Sequence, residues 1–143
     1  MQHLADELAE VCRRFGVVSL YVFGSRAKEI AARVGGGEAV AGPAESDLDV
    51  AVQPAPGRMD DPRERVRFLQ KLEELFHVPR VDLVILPEAE AFLAADAIRG
   101  ELLYCDDEDR QAREELYYLR RAADLLPFKR QRLKGILSGE LRR

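Results

Sequence analysis

The chain has few of the residues that mark secreted, zinc-binding or membrane proteins. Its 143 residues include no tryptophan, two cysteines and two histidines. So few thiols and imidazoles exclude a disulfide framework and a zinc site. No run of about 18 apolar residues is present, which excludes a membrane-spanning helix. The first residues also lack the basic and apolar regions of a signal peptide, so we expect a cytoplasmic protein.

An excess of positive charge is also missing. The chain has 22 lysines and arginines against 26 aspartates and glutamates, for a net charge of −4. Proteins that coat nucleic acid need a basic overall field, so the composition argues against a nucleic-acid partner. Hydrophobic residues at 47% and charged residues at 34% are typical of a globular domain. Cys12 and Cys105 are expected to be buried free thiols.

The hydrophobic patterns predict helices that alternate with strands. The predicted helices cover residues 2–15, 26–34, 61–76, 88–99 and 106–126, and the predicted strands cover residues 17–23, 47–52, 81–86 and 102–105. The glycine-rich segment 35–45 predicts a loop. This order predicts an α+β fold in which helices pack on a small mixed β-sheet.

Finer expectations come from single positions. Ser25 is predicted to cap the second helix, and Pro127 is predicted to interrupt the last one. Strand 81–86 is almost wholly apolar, which predicts a central strand. Helical spacing predicts two buried faces, Val66, Leu69, Leu72, Leu75 and Phe76 in the third helix and Leu116, Leu119, Ala123 and Leu126 in the last. At least one of the adjacent tyrosines 117 and 118 is expected in the core.

Three acidic residues stand out against these apolar strands. Asp47 and Asp49 are two residues apart on a predicted strand, so their side chains point to the same face. Asp82 begins another strand, and if the two strands are neighbours the three carboxylates converge at one end of the sheet. Clustered carboxylates repel one another unless a cation neutralises them. Because oxygen ligands suit magnesium, the pattern favours a magnesium site over solvent-exposed strand caps.

A second motif lies upstream, where a predicted strand leads through Gly24 and Ser25 into a helix. The N-terminus of a helix presents backbone N–H groups and a positive dipole end, which bind phosphate. Glycine allows the backbone to approach a ligand closely, and serine adds a hydroxyl donor. On its own the pair is also compatible with a simple turn.

Together, these segments resemble the DNA polymerase β-like nucleotidyltransferase superfamily. The residues that carry the resemblance are 21–27 (YVFGSRA), 46–52 (SDLDVAV) and 81–86 (VDLVIL). Within the superfamily, the chain resembles the minimal nucleotidyltransferases that are paired with HEPN-domain proteins. The resemblance covers roughly residues 1–105, the expected nucleotidyltransferase core, and it implies a fold like the polymerase β palm.

The resemblance also implies roles for the motif residues. Gly24 and Ser25 would hold the triphosphate of ATP, and Arg26 is a candidate phosphate contact or, equally, an exposed helix arginine. Asp47 and Asp49 would bind two magnesium ions, with Asp82 as the third carboxylate. The family reaction transfers a nucleoside monophosphate to a hydroxyl group, and two metal ions that flank the α-phosphate account for it physically.

One feature departs from the family pattern. The spacer between Ser25 and Asp47 has 21 residues, roughly twice the usual family length. Loop closure entropy rises only slowly with length, so the site can survive the insertion. The insertion could also act as a lid over the site.

The remaining residues, 106–143, are expected to form a helix and a basic tail of the same domain. The tail could be a solvated helix end or a contact surface for a partner or RNA. The resemblance implies an antitoxin that transfers AMP to a hydroxyl of a HEPN toxin, and a chain too short for its own acceptor-binding domain agrees with this expectation. The alternatives are a binding module that neutralises its partner by contact, and a small-molecule nucleotidyltransferase whose acceptor pocket a homo-oligomer would complete. A nucleic-acid polymerase is the weakest alternative, since the thumb and fingers that grip a template are missing.

Overall fold

Helices and strands alternate along the chain as the sequence predicts. The computed structural model describes residues 3–36 and 47–138, with side chains described as far as Pro127. The elements are α1 (His3–Phe15), β1 (Val17–Phe23), α2 (Ala27–Val34), β2 (Leu48–Pro54), α3 (Pro62–Phe76), β3 (Val81–Ile85), a 3-10 turn (Leu86–Glu88), α4 (Ala91–Ile98), β4 (Glu101–Cys105) and α5 (Glu108–Ser138). The predicted α+β fold class is confirmed.

The four strands form one mixed sheet in the order β3-β2-β1-β4. β1 is antiparallel to both β2 and β4, and β2 is parallel to β3. The prediction that β3 is central is therefore wrong, since β3 is an edge strand. Its apolar character comes from packing at its two ends, where Val81 and Ile85 are buried while Asp82 is exposed.

The sheet buries a cluster of apolar side chains on each face. On one face, α1, α2 and α3 pack over residues such as Leu20, Val50 and Val52. On the other face, α4 and α5 pack over a smaller cluster that contains Tyr21 and Ala51. Alternate residues of β2 therefore point to opposite clusters, as expected for a strand that is covered on both sides.

Several finer expectations are corrected. α2 begins at Ala27 with Arg26 in the N-cap position, one residue after the predicted cap Ser25. α5 continues through Pro127 to Ser138, because a helix of 31 residues can absorb the lost hydrogen bond and the ring clash that an internal proline introduces.

Two predicted buried faces are also corrected. Val66 on α3 is 52% exposed, whereas Phe68, Leu72 and Phe76 are buried. On α5, Leu116 and Leu126 are exposed, and Tyr118 and Ala122 take the buried positions. The expectation that one of the two adjacent tyrosines is buried is confirmed, because Tyr118 is 3% exposed and Tyr117 is 58% exposed.

The remaining predictions concern the loop, the tail and the cysteines. Most of the predicted loop 35–45 and the side chains of the basic tail lie outside the described residues. Among the helices that the structure does describe, none combines the length and apolarity needed to cross a membrane. Cys12 is a buried free thiol, and burial raises its pKa to about 12. Cys105 is a free thiol that is only partly buried, which corrects the expectation for that residue.

We predict that α3 is held to the sheet by Phe68 and not by Val66. Phe68 is fully buried and stacks edge-on against Phe15, with 5.3 Å between ring centroids. Phe68→Ala should lower the free energy of unfolding by about 3–5 kcal/mol, because it leaves a cavity in the core. Val66→Ala, two residues away, should change it by less than about 0.5 kcal/mol. Urea denaturation measures both, and equal losses would contradict the assignment of the two faces.

Candidate active site

The predicted site residues gather at one edge of the sheet because of the strand directions. β1 and β2 are antiparallel with Phe23 opposite Asp49, so the end of β1 lies beside the start of β2. β2 and β3 are parallel with Asp49 opposite Asp82, so both strands start at this edge. Asp47 immediately precedes β2. The register of three strands thus brings Gly24, Asp49 and Asp82 together.

Gly24 lies directly against a carboxylate of this edge. Its φ is +78°, a left-handed backbone conformation that favours glycine. A Cβ placed on Gly24 would collide with Oδ2 of Asp49. The turn after β1 therefore requires glycine for two reasons, its backbone angle and its close approach to Asp49.

Asp49 is the carboxylate whose environment most disfavours charge. Its pKa is raised, first by burial and then by repulsion from Asp82 and Asp47. A carboxylate that is partly buried beside two other anions is costly to ionise. The arrangement therefore favours a cation or a positively charged group near Asp49.

Asp47 has one such partner in the structure. The Arg80 guanidinium, just before β3, lies 3.5 Å from Asp47 Oδ2, and its side chain is 72% exposed. Backbone pairing supports the same contact, since the amide of Leu48 donates to the carbonyl of Arg80. An exposed pair of this kind contributes little stability, so Arg80 can be displaced from Asp47 by a stronger cation.

The residues fit a divalent cation in their chemistry. Carboxylate oxygens are the ligands that magnesium prefers. The pKa of Asp49 is raised first by burial and then by repulsion from Asp82 and Asp47, and a bound cation would offset both effects. Within the part of the chain that the structure describes, no three side chains of histidine, cysteine, aspartate or glutamate already form a metal-binding group. The carboxylates would therefore have to turn toward a shared ion.

Arg26 lies inside the protein and not on an exposed helix surface. Its side chain is 5% exposed and bonds twice to Glu29, from Nε at 3.1 Å and from a terminal nitrogen at 2.9 Å. Arg33 also donates to Glu29, at 2.6 Å, and its other terminal nitrogen donates to the carbonyl of Phe76 at 2.7 Å. This buried ion triad ties the residue after Ser25 to the end of α3.

A cavity of about 640 Å³ opens beside the turn after β1. Gly24 and Ser25 line it, together with the cationic side chains of Lys28 and Arg99 and the acidic side chains of Asp96 and Glu101. The two cations are matched in number by the two acids, and Arg99 lies 3.8 Å from Asp96. A phosphorylated ligand in this space would therefore depend on the backbone of the Gly24 turn as well as on Lys28 and Arg99.

Sequence reasoning missed Glu29, Lys28 and Arg99. Glu29 carries a detectable signal, because it is three residues after Arg26 and four before Arg33, the spacings at which opposite charges meet on a helix. Lys28 lies in the first turn of the helix that follows Ser25, where a cation can reach a phosphate. Arg99 reaches the cavity only through the packing of α4 on the sheet, which no local pattern reveals.

Comparison with known proteins is consistent with this geometry. The sequence profile of the family described as polymerase beta nucleotidyltransferase matches residues 6–109. A solved structure described as a putative minimal nucleotidyltransferase is 31% identical, with 68% of this chain and 85% of that chain covered and a TM-score of 0.50. No protein among the curated sequences matches the chain.

Two toxin–antitoxin structures share the fold over nearly the whole chain. One, solved with AMP-PNP, is 20% identical, with 93% of this chain and 98% of that chain covered and a TM-score of 0.67. The other is the Shewanella oneidensis complex of a tri-AMPylated HEPN toxin with an MNT antitoxin. It is 19% identical, with 96% and 99% covered and a TM-score of 0.66. At these identities the likeness concerns the fold.

We predict that Gly24→Ala is more destabilising than Gly57→Ala. Gly57 has nearly the same backbone angle, φ +74°, but nothing lies within 4 Å of its missing Cβ. Gly57→Ala should therefore cost only the left-handed backbone term of about 1–2 kcal/mol, whereas Gly24→Ala adds the collision with Asp49. Urea denaturation of both variants, alone and with Asp49→Ala, separates the two terms. In the protein that retains Asp49, Gly24→Ala should lower the free energy of unfolding by more than Gly57→Ala does. In the protein that carries Asp49→Ala, the two glycine substitutions should cost the same. Equal costs in both proteins would exclude the collision.

We also predict that Glu29 stabilises the protein in a pH-dependent way. Hydrogen bonding from Arg26 lowers the pKa of Glu29 against the opposing effect of burial. Glu29→Gln should cost about 3 kcal/mol at neutral pH, because it leaves buried arginine charge uncompensated. A carboxylate whose pKa is lowered by folding stabilises the folded state at pH values above its unfolded pKa of about 4.3. This stabilisation disappears as pH falls below the folded-state pKa, so the free-energy loss caused by Glu29→Gln should shrink as the pH is lowered through this range.

The control for this prediction is Glu74→Gln. Glu74 pairs with Lys71 at 3.8 Å on the surface of α3, so its substitution should cost less than about 0.5 kcal/mol. Thermal unfolding between pH 3 and pH 7 follows both variants. A loss at Glu29 no larger than that at Glu74 would show that the triad contributes nothing.

Proposed function

Because this chain belongs to the polymerase beta nucleotidyltransferase family, we propose that it transfers AMP from ATP to a hydroxyl group of a partner protein. The observation that carries this proposal is the register of β1, β2 and β3. It puts the Gly24 turn, Asp49 and Asp82 at one sheet edge, next to a cavity with two cations. The same edge thus offers hydrogen-bond donors for the phosphates and acidic ligands for a metal ion, the two parts that nucleotidyl transfer requires.

In this proposal Gly24 and Ser25 bind the triphosphate through the backbone and the serine hydroxyl. Lys28 and Arg99 line the adjoining cavity and offset the negative charge of the phosphates. Arg26 contacts phosphate only if part of its guanidinium leaves the pair with Glu29, so we assign it mainly to holding the turn in place.

Asp47, Asp49 and Asp82 would hold two magnesium ions in this proposal. When bound, the ions supply Lewis-acid stabilisation of the α-phosphate and of the pyrophosphate leaving group. Asp82 is the most exposed of the three, so in this proposal it is the carboxylate that an acceptor hydroxyl reaches first. It would therefore orient that hydroxyl or accept its proton.

We propose a HEPN-domain toxin as the acceptor, with this chain as its antitoxin. The support is the fold shared with an MNT antitoxin whose complex contains a tri-AMPylated HEPN toxin, together with the fold shared with a toxin–antitoxin complex that holds AMP-PNP.

A second candidate function is neutralisation by contact alone. It is favoured by the spacer of 21 residues between Ser25 and Asp47 and by the absence of a ready-made metal group among the described residues. In this case the carboxylates are dispensable, and Asp47→Asn or Asp49→Asn would leave neutralisation of the toxin intact.

We predict that AMP transfer requires Asp49. The purified chain, ATP, magnesium and the HEPN-domain product of the neighbouring gene should yield a partner that is heavier by one or more adenylyl groups. Asp49→Asn should lower the rate by about 100-fold or more, because it removes a metal ligand at the reacting phosphate. Asp6→Asn, at an exposed acid of α1, is the matched control and should keep the wild-type rate.

Intact-mass spectrometry of the partner measures the transfer. An unmodified partner with the wild-type protein would refute the transferase proposal. If wild type and Asp49→Asn also neutralise the toxin equally, the contact-only function is correct.

A further inference from the structure

We infer that the outward face of α5 around Tyr117 is a docking surface for an acidic, partly aliphatic surface of a partner protein. The face, called here the Tyr117 surface, consists of Arg113, Leu116, Tyr117, Arg120 and Arg121. The identity of the partner as a HEPN-domain protein rests on the proposed function. The assignment of a docking surface depends on the exposure and charge of these side chains and on the fixed position of the Tyr117 ring.

Exposed apolar side chains concentrate on this helix. Seven large hydrophobic residues are exposed among the described side chains, and four of them, Leu116, Tyr117, Leu125 and Leu126, lie within eleven residues of α5. At about 100° per residue, Leu126 falls on the opposite side of α5 from Tyr117. The exposed apolar patch of the Tyr117 surface is therefore formed by the adjacent residues Leu116 and Tyr117. On the inner side of α5, Tyr118 and Ala122 are buried against the body of the protein.

Tyr117 is held in place before any partner arrives. Its ring packs edge-on against Tyr118, with 5.0 Å between centroids, and the Arg121 guanidinium lies 5.9 Å from its ring centre. Tyr118 is buried and donates to Gln53 of β2 at 2.6 Å. An exposed aromatic ring on a fixed support loses little entropy on binding, which is the property of an interface anchor.

α5 itself is fixed to the sheet by a buried carboxylate. Glu114 accepts hydrogen bonds from Ser19 at 3.0 Å and from Tyr21 at 2.5 Å, and Arg110 donates to it at 2.5 Å. Gln111 donates to the hydroxyl of Tyr21 at 2.9 Å. The surface is therefore carried by a helix whose inner side is bonded to the central strand β1.

The shape around Tyr117 suits inserted side chains. Two open cavities of about 460 and 470 Å³ flank the tyrosine, and Arg113 and Tyr117 line both of them. A partner can thus place one side chain on each side of the ring. Tyrosine and arginine are also the residues that most often dominate binding energy at protein interfaces.

The charge of the surface selects an acidic partner. One cavity is lined by Arg113, Arg120 and Arg121 against a single acid, Asp124. The other is lined by Arg110 and Arg113 against a single acid, Glu114, which is already paired with Arg110. This local positive charge contrasts with a net charge of −4 for the chain. A protein is favoured over RNA, because the exposed Leu116 beside the ring suits an apolar side chain and the overall negative charge of the chain repels a phosphate backbone.

The position of the surface suits delivery of an acceptor group. Gln53, which supports Tyr118, is four residues along β2 from Asp49, roughly 13 Å at about 3.4 Å per residue. Both side chains lie on the face of the sheet that α4 and α5 cover. A partner held at Tyr117 would have to reach along this face to bring a hydroxyl to the carboxylates.

The test compares partner binding by Tyr117→Ala and Arg120→Glu with two matched variants of α3. Val66→Ala and Arg67→Glu change an exposed apolar and an exposed basic residue of another helix. The probe is the purified HEPN-domain product of the neighbouring gene, and calorimetry gives the dissociation constant. We expect the dissociation constant for the partner to rise by about tenfold or more in both α5 variants and to stay unchanged in both α3 variants. The affinity for ATP should be unchanged in all four.

The outcomes distinguish this inference from the proposed function. If the wild type modifies its partner and the α5 variants bind as tightly as the α3 variants, the docking surface is wrong and the transferase stands. If the wild type neither binds nor modifies the partner, both are wrong. If the α5 variants lose affinity for a single-stranded RNA oligonucleotide but not for the protein, the surface is a nucleic-acid contact and the inference is overturned. Binding that weakens with added salt in the wild type, but less in Arg120→Glu, supports an acidic partner.

Discussion

The backbone pairing of β2 with both of its neighbours is the constraint on which the candidate site depends. The strand is antiparallel to β1 on one side and parallel to β3 on the other. Because of this mixed pairing, the end of β1 and the starts of β2 and β3 meet at one edge. A slip of one residue in either ladder would turn Asp49 or Asp82 to the opposite face, so the apolar residues that fix the register also fix the site.

Buried ionic groups orient the helices of this protein, whereas the apolar core supplies most of its stability. Glu29 and Glu114 are both buried carboxylates, and each is neutralised by an arginine from its own helix, three or four residues away. Glu29 holds Arg33, which joins the helix after the glycine turn to α3, and Glu114 joins α5 to β1. A buried pair adds little net stability compared with apolar packing. Its value here is directional, because it allows each helix only one position on the sheet.

The sequence was informative wherever a local pattern decides the outcome. Hydrophobic periodicity located every helix and strand, and the combination of Gly24, Ser25 and three acids identified the family, which the comparisons confirm. It failed where distant packing decides. The edge position of β3 depends on strand pairing, the exposure of Val66 depends on where α3 meets the sheet, and Pro127 is tolerated because α5 is long. The roles of Asp47, Asp49 and Asp82 remain predictions, since their positions at one edge do not by themselves establish chemistry.

The edge position of β3 has a consequence for how the site responds to its ligands. Within the described residues β3 pairs only with β2, so it can open while the other three strands stay closed. Edge strands open at a lower free energy than central ones. Asp82 is carried on this strand, and any cation that it shares with Asp49 would link β3 to β2 across the gap. Hydrogen exchange at the β3 amides would then slow on ligand binding, and this edge strand would report directly on whether the site is filled.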